Sequence, residues 1–333
     1  MVTGPGEGAV QDVPPPIAGP GQVVVDVARA GVCGTDVEFF TGEMAYLHQG
    51  HARYPMRLGH EWCGVVSAIG ADVEDTWLGQ RVTGDTMLGC GHCQRCLSGR
   101  HNVCEKRFEI GIRGGFPGAL AEQLAVPVTA LLALPDSVDD VAGALVEPGG
   151  NALRAVRGAE LAAGDRVLVL GLGTIGMLAG EFARGLGAEA HLVDRSDRTL
   201  EFARTLGFDG VWHSDDLPAL RWDAVIDATN AASVPALALD LVEPGKRVVY
   251  IGLSGTPSSL DTRALVLKDV TAVGILAGSA GLAGAVESYA SGVVDPRPLV
   301  GATVGLDEVG EVLAGWRPSD ASAGPKIHIN PAG

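Results

Sequence analysis

The stretch "DRVLVLGLGTIGMLAGEFARGLGA", residues 165–188, joins an apolar run to a glycine-rich turn and a helical pattern. Its glycines have the spacing G-x-G-x-x-G, directly after the predicted strand "RVLVL". Such glycines allow a tight turn, close approach of the backbone to a pyrophosphate, and close helix–strand packing. A glycine turn without a ligand is the alternative. The predicted cofactor contacts in this turn are Gly171, Gly173, Thr174, Ile175 and Gly176.

A carboxylate ends the next predicted strand, "AHLVD", 18 residues after the last glycine of the turn. At this place Asp194 can accept hydrogen bonds from both ribose hydroxyls of a dinucleotide. Its charge would repel a 2′-phosphate, which favours NAD. Arg195 follows immediately and can pair with such a phosphate, so NADP stays open as the second choice.

Strand and helix patterns alternate on both sides of this turn, from about residue 150 to residue 290. Such alternation predicts a doubly wound parallel sheet of the α/β class. Residues 1–150 instead hold short β-type runs broken by Gly and Pro, such as "QVVVDVARAGVCG" and "CGVVSAIG", which predict an antiparallel, barrel-like unit. The short segments after about residue 290, which end in "PKIHINP", are expected to form strands that rejoin this first unit. The predicted domains are 1–150, 151–290 and a return segment, 291–333.

Composition limits the function classes. The chain has 333 residues and a formal charge of −16, from 24 basic and 40 acidic side chains. That sign disfavours nucleic acid and anionic membrane surfaces as partners. The start, "MVTGPGEGAV", lacks the basic and apolar regions of a signal peptide. We therefore expect a cytoplasmic, reducing location, in which clustered cysteines hold metal more often than they form disulfides.

Four of the six cysteines lie in "CGHCQRCLSGRHNVC", with the spacing C-x2-C-x2-C-x7-C. Four thiolates from one loop can close a tetrahedron around Zn²⁺, and such a closed site is structural. Disulfides between residues three apart would be strained. An iron–sulfur cluster is the stronger rival, whereas the negative charge opposes a zinc-ribbon reader of nucleic acid. The predicted structural-zinc ligands, in a lobe at about 88–106, are Cys90, Cys93, Cys96 and Cys104.

Three other segments carry metal-ligand side chains. "GVCGTD" contains Cys33, "GHEWCGVV" contains His60 and Glu61, and "VEPGGNALRAV" contains Glu147. One Cys, one His and one carboxylate from separate segments make a three-ligand zinc site whose fourth position is open. Each residue alone has a plainer explanation, a buried Cys for example, but their presence beside a nucleotide fold favours the metal site.

These motifs, in this order, resemble those of the zinc-dependent medium-chain alcohol dehydrogenases, in the branch of polyol, threonine and glucose dehydrogenases. The resemblance covers nearly the whole chain. It implies a GroES-like β-barrel catalytic domain and a Rossmann domain, with the active site between them. It also implies that Cys33, His60 and Glu147 hold the catalytic zinc, with Glu61 as the acid behind the metal. Family members usually begin with one more strand, before the segment "TGPGEGAV".

The implied reaction moves a hydride from a carbinol carbon to the nicotinamide. Thr35, two residues after the first zinc cysteine, is placed to accept the alcohol proton. Many family members have a relay histidine five residues after that cysteine. Here Glu38 occupies the position, which is more like the glucose dehydrogenase pattern.

The segment "FFTGEMAYLHQGHARYPMRLGHEW" is predicted to line the substrate cleft. Its polar side chains suit a polyol, cyclitol, amino-cyclitol or sugar better than a simple aliphatic alcohol, whose pocket would be apolar. A solvated loop is the alternative. The predicted substrate contacts are Glu38, Tyr46, His48 and Arg53.

Other functions stay open at this stage. They are an aldose 1-dehydrogenase, an L-threonine-type amino alcohol dehydrogenase, and a non-catalytic nucleotide-binding protein of the same fold. A zinc-free quinone reductase would lack the metal ligands. The apolar strand "VTAVGIL" predicts pairing across a two-fold axis, hence a homodimer or homotetramer.

Overall fold

A computed structural model describes residues 1–333, which form two compact units. The first unit comprises residues 1–147, 295–322 and 326–333, and the second comprises residues 148–294 and 323–325. No helix in either unit is both long enough and apolar enough to cross a membrane.

The first unit is built mainly from β-strands. Its strands are β1 (Val2–Gly4), β2 (Glu7–Gly8), β3 (Gln22–Val32), β4 (Glu61–Ile69), β5 (Arg81–Gly84), β6 (Met87–Leu88), β7 (Phe108–Glu109), β8 (Gln123–Pro127), β9 (Leu131–Ala133), β16 (Val300–Gly305) and β17 (Lys326–Asn330). Its helices are α1 (Gly34–Thr41), α2 (Ala45–His48), α3 (Gln94–Leu97), α4 (Asp140–Gly143) and α11 (Val309–Leu313).

The centre of this unit is β3, which pairs antiparallel with β4, β8 and β17. Its pairing with β4 shifts register twice, and such irregularities bend a strand and increase its twist. The bend lets β3 pair with β8 through its first half and with β17 through its second half. The full order is β16-β17-β3-β4-β5-β9. One face covers an apolar core that includes Phe39, Trp62 and Leu124.

The second unit is a doubly wound sheet. Its strands are β10 (Arg166–Leu170), β11 (Glu189–Asp194), β12 (Gly210–His213), β13 (Trp222–Asp227), β14 (Val242–Tyr250) and β15 (Thr271–Gly274). Its helices are α5 (Val146–Ala159, which starts in the first unit), α6 (Thr174–Gly185), α7 (Asp197–Thr205), α8 (Val234–Leu241), α9 (Thr262–Leu267) and α10 (Leu282–Ala290).

All pairs in this sheet are parallel, in the order β12-β11-β10-β13-β14-β15. The order reverses between β10 and β13, and in open α/β sheets ligands bind at the carboxyl ends of the strands beside such a reversal. The predicted fold class, an antiparallel unit followed by a doubly wound parallel sheet, is confirmed.

Candidate active site

The glycine-rich turn joins β10 to α6 at this reversal point. Gly171 has a φ of +89°, which favours glycine. A Cβ on Gly176 would lie 1.9 Å from the Gly171 oxygen, so no larger residue fits there. A Cβ on Gly173 would meet nothing within 4 Å, and no side chain caps the helix that follows. The first amides of α6 therefore face open space, as a pyrophosphate site requires.

Asp194 ends β11 beside this turn. One of its carboxylate oxygens accepts the Leu172 N–H at 2.9 Å, and the other accepts the N–H groups of Arg195 and Ser196 at 2.7 and 2.9 Å. Three backbone donors thus fix the carboxylate at the edge of the predicted nucleotide site. Thr174 and the following isoleucine open α6, and the Arg195 side chain is exposed.

The four-cysteine lobe projects from a short ladder formed by β6 and β7. Its sulfur atoms are 3.9 Å apart for Cys90 and Cys96, 3.5 Å for Cys93 and Cys96, and 3.8 Å for Cys93 and Cys104. Zn–S bonds of about 2.3 Å give S···S edges of about 3.8 Å in a tetrahedron. The N–H groups of His92 and Cys93 lower the pKa of the Cys90 thiol to about 6, so a thiolate is available at neutral pH. The donor set fits zinc.

A second cluster brings together Cys33, His60 and Glu61, whose ligand atoms all lie within 4.8 Å of one another. His60 and Glu61 are 4 % and 1 % exposed, while Cys33 is half-buried. Cys33 is also the N-cap of α1. The His60 Nδ1 atom is buried and makes no hydrogen bond of normal geometry, although a carboxylate oxygen of Asp36 lies 3.5 Å away. Sulfur, imidazole and carboxylate together are a donor set that suits Zn²⁺.

The buried carboxylate of Asp36 connects the two halves of this cluster. It accepts the Cys33 N–H at 2.9 Å and the Gly59 N–H at 3.1 Å, and its nearer oxygen lies 3.5 Å from His60 Nδ1. Burial alone would lower the pKa of His60, but the Asp36 charge raises it well above its usual value. The sequence prediction missed Asp36, although the N-cap-to-N3 spacing in "CGTD" signals a capping carboxylate.

A second missed residue, Lys326, lies on β17. Its Nζ lies 2.7 and 2.6 Å from the two carboxylate oxygens of Glu61 and donates to the Val32 oxygen at 3.0 Å. Both members of the ion pair are almost fully buried, with side-chain exposures of 4 % and 2 %. Burial alone would lower the pKa of Lys326, but the Glu61 charge raises it. The partners are 265 residues apart, so no local sequence signal could have found the pair.

The other predicted catalytic residues lie on helix starts. Thr35 is half-buried in the first turn of α1. Glu147 is 8 % exposed in the first turn of α5, and its carboxylate is not among the three groups that lie within 4.8 Å of one another. The roles of both residues stay predictions.

The predicted substrate contacts differ in their surroundings. The Tyr46 hydroxyl lies 3.4 Å from a Glu109 carboxylate oxygen and 3.3 Å from an Arg107 nitrogen. Glu38 is half-buried in α1, where burial and then the nearby Glu43 raise its pKa. The ring of His48 bonds to a backbone oxygen on the surface, and the Arg53 side chain is exposed.

Both halves of the chain match known families. Residues 19–136 match the alcohol dehydrogenase GroES-like domain, and residues 174–291 match the zinc-binding dehydrogenase domain. The chain belongs to the zinc-dependent medium-chain alcohol dehydrogenase family. As the family implies, it is a zinc-dependent oxidoreductase of the alcohol or polyol type that uses NAD(P).

Individual dehydrogenases agree with this assignment. An L-threonine 3-dehydrogenase of Deinococcus deserti is 31 % identical over 277 residues, which cover 79 % of each chain. The NADH complex of RspB from Escherichia coli CFT073 has a TM-score of 0.89 at 25 % identity, over 99 % of this chain and 97 % of that one. A zinc-binding dehydrogenase of Sinorhizobium meliloti 1021 bound to NADP has a TM-score of 0.87 at 27 % identity, over 97 % and 96 %.

Proposed function

We propose that this dehydrogenase oxidises a secondary hydroxyl of a polar, polyhydroxylated substrate to a ketone, with NAD as the hydride acceptor. The substrate class comprises polyols, cyclitols, amino-cyclitols and sugars. The observation that carries the proposal is the buried cluster of Cys33, His60 and Glu61, which pairs a metal donor set with a family that performs this reaction. The polar Tyr46 beside Arg107 and Glu109 supports a hydrophilic substrate.

In the proposed site Cys33, His60 and Glu147 would hold the catalytic zinc, and Glu61 would be the acid behind the metal. Zinc, when bound, acts as a Lewis acid that favours ionisation of an alcohol. Asp36 orients the His60 ring and anchors the start of α1. The Thr35 hydroxyl accepts the alcohol proton and passes it onward. Lys326 Nζ contacts both carboxylate oxygens of Glu61, which leaves Glu147 for the third ligand position.

Metal analysis tests this ligand assignment. We expect two zinc ions per chain, one of them in the four-cysteine lobe. Glu147→Gln should reduce the content to one zinc, while Glu61→Gln should retain two. Loss of the second zinc only in Glu61→Gln would assign the third ligand to Glu61 instead. One zinc in the unaltered enzyme would support the lobe site alone.

A substrate panel tests the reaction itself. It contains polyols, aldoses, cyclitols and amino alcohols, each with NAD and with NADP. Preference for NAD is expected because Asp194 lies beside the glycine turn, where its negative charge would repel a 2′-phosphate. L-Threonine is the second candidate substrate, because the chain is similar to L-threonine 3-dehydrogenases. Aldose oxidation is the remaining alternative. If the zinc-loaded protein reduces neither cofactor with any alcohol, the result would support the alternative of a non-catalytic nucleotide-binding protein.

We also infer a homodimer or homotetramer. β15 pairs with β14 only and forms the edge of its sheet, and the neighbouring α9 exposes Val266 and Leu267 at 78 % and 86 %. An exposed edge with apolar neighbours commonly pairs with another copy. Light scattering on the purified protein would show it, and a monomer at all concentrations would refute it. Thiolate ligands also support a cytoplasmic, reducing location.

A further inference from the structure

Residues 109–113 form a tight hairpin in the first unit. The Arg113 N–H donates to the Glu109 oxygen at 2.9 Å, and the Glu109 N–H donates to the Arg113 oxygen at 3.2 Å. Gly111 and Gly114 have φ values of +70° and +75°, which allow the chain to turn here. The Phe108 ring lies directly against Gly114, where a Cβ would come within 2.4 Å of it. The backbone under Arg113 is therefore held in one place.

This hairpin is attached to the segment that carries His60. A Cβ on Gly111 would lie 2.5 Å from the Gly59 oxygen, so the two backbones touch. The Ala119 N–H then donates to the same Gly59 oxygen at 2.8 Å. Two Cα steps separate Arg113 from Gly111 and one separates Gly59 from His60, and the contact between the two glycines joins them, so the Cα atoms of Arg113 and His60 are at most about 18 Å apart. The backbone of the Arg113 hairpin is thus joined to the segment that carries His60.

The side chain of Arg113 belongs to a cluster around Tyr46. Its guanidinium carbon lies 5.5 Å from the centre of the Tyr46 ring, and the His51 ring meets that ring edge-on at 5.4 Å. The Gly114 N–H donates to the His51 oxygen at 3.0 Å, which joins the hairpin to the predicted substrate segment. A cation over an aromatic face keeps its orientation, and the outer N–H groups of a stacked guanidinium remain available to a ligand.

The charges of this cluster do not cancel. Arg107 is neutralised, because its Nε donates to Glu109 at 2.7 Å and its other nitrogens bond to Tyr46 and Cys104. Arg113 is half-buried and makes neither an ion pair nor a side-chain hydrogen bond. An unpaired arginine against Tyr46, a predicted substrate contact, is unexpected in a chain with 40 acidic side chains and a net charge of −16.

We propose that Arg113 binds an acidic group of the substrate, so that the polyhydroxylated alcohol carries a carboxylate or a phosphate. The inference rests on the proposed function and narrows its substrate class. A guanidinium fork matches the oxygens of either group, and such charge-assisted bonds are about twice as strong as neutral ones. If Arg113 served only to cover Tyr46, its removal would affect stability and would not distinguish acids from neutral alcohols.

Calorimetric titration of the zinc-loaded enzyme with NADH bound tests this inference without turnover. The probes are aldonates and their neutral alditols, in matched pairs of the gluco, galacto and manno series, and D-sorbitol 6-phosphate. We expect at least one acid to bind about 10- to 100-fold more tightly than its alditol. Arg113→Gln should remove this preference and leave alditol affinity unchanged. Arg113→Lys should retain part of it, because the charge remains and the fork is lost.

Lys106→Gln is the matched control, since it removes the same charge from an exposed position seven residues before Arg113. It should keep the acid preference. Comparison of the aldonates with the sugar phosphate tells a carboxylate site from a phosphate site. The proposal is overturned if no acid in the panel binds more tightly than its alditol, or if the preference survives in Arg113→Gln. Failure of the proposed function is separate, because it would appear as absent NAD reduction in the substrate panel, whatever the binding data show.

Discussion

The two metal clusters of the first unit contrast in how the chain builds them. The four cysteines of the lobe come from one loop, and three of them are only half-buried. The second cluster takes Cys33 from the start of α1, and it takes His60 and Glu61 from the start of β4. Both His60 and Glu61 are buried. Asp36 and Lys326 add charges that hold this second cluster. No comparable buried ion pair lies within the lobe.

This contrast is the one expected between a structural site and a reactive one. A closed set of four thiolates leaves no position for a substrate, so the lobe can only stabilise. A site made from distant segments has its ligands fixed by surrounding contacts, which is the arrangement that metal chemistry requires. Changes in the second cluster should therefore act on rate, and changes in the lobe on stability.

Cys33→Ser is the change with the largest expected effect. It should lower kcat/KM by about 10³-fold or more, because it removes a ligand of the proposed catalytic zinc. NADH affinity should stay within about twofold, since the glycine turn belongs to the second unit. Steady-state kinetics and NADH fluorescence titration measure the two effects. Unchanged turnover in a sample with one zinc per chain would contradict the assignment of Cys33.

Cys104→Ser should act on stability instead. Cys104 is 1 % exposed and is the most buried thiol of the lobe. Loss of a structural metal costs about 4 kcal/mol of unfolding free energy, or about 6 °C in Tm for a protein of this size. Calorimetry and metal analysis at low temperature give the result, with one zinc and substantial turnover retained. Cys63→Ser is a control outside both clusters. Full loss of turnover in folded Cys104→Ser would mean that the lobe also acts on the rate, and it would contradict the separation of the two sites.

Lys326→Met tests the buried ion pair beneath the reactive cluster. It should cost about 3–5 kcal/mol of unfolding free energy, because the Glu61 charge would remain buried without a partner. The double variant Glu61→Gln/Lys326→Met should recover most of that loss. Denaturant unfolding of the metal-free proteins measures both. A double variant as unstable as Lys326→Met would mean that the lysine acts through packing alone.

The smallest expected effect concerns the link between the lobe and the sheet. His101 Nε2 lies 2.7 Å from Asp85, and this contact raises the pKa of His101. A group whose pKa is raised in the folded state stabilises the fold fully at pH values below its unfolded-state pKa, here near 6.5. This stabilisation is lost as the pH rises through the folded-state pKa. His101 is 35 % exposed, so we expect at most about 1 kcal/mol. His101→Gln should flatten the dependence of Tm on pH between about 6 and 8. An unchanged slope would show that the contact contributes nothing.

The sequence was sufficient to predict residues whose partners are close in the chain. The glycine turn, Asp194 and the four cysteines follow from spacing, because helices, strands and small loops obey local geometry. Lys326 and Arg113 do not follow from spacing, since their significance depends on groups that the sheet and the hairpin bring close to them. Asp36 is an intermediate case, with a local capping signal but a partner, His60, on another strand.

The sequence by itself determined the fold class, the order of the two units and the four-thiolate loop, because each depends on periodicity or on spacing within about twenty residues. Only the tertiary structure decided which buried charges face one another. It pairs Lys326 with Glu61, which is 265 residues away in the chain, and it gives Arg113 no carboxylate partner. The physical reason is that a charge in a low-dielectric interior is controlled by its neighbours in space, and the sequence does not state those neighbours.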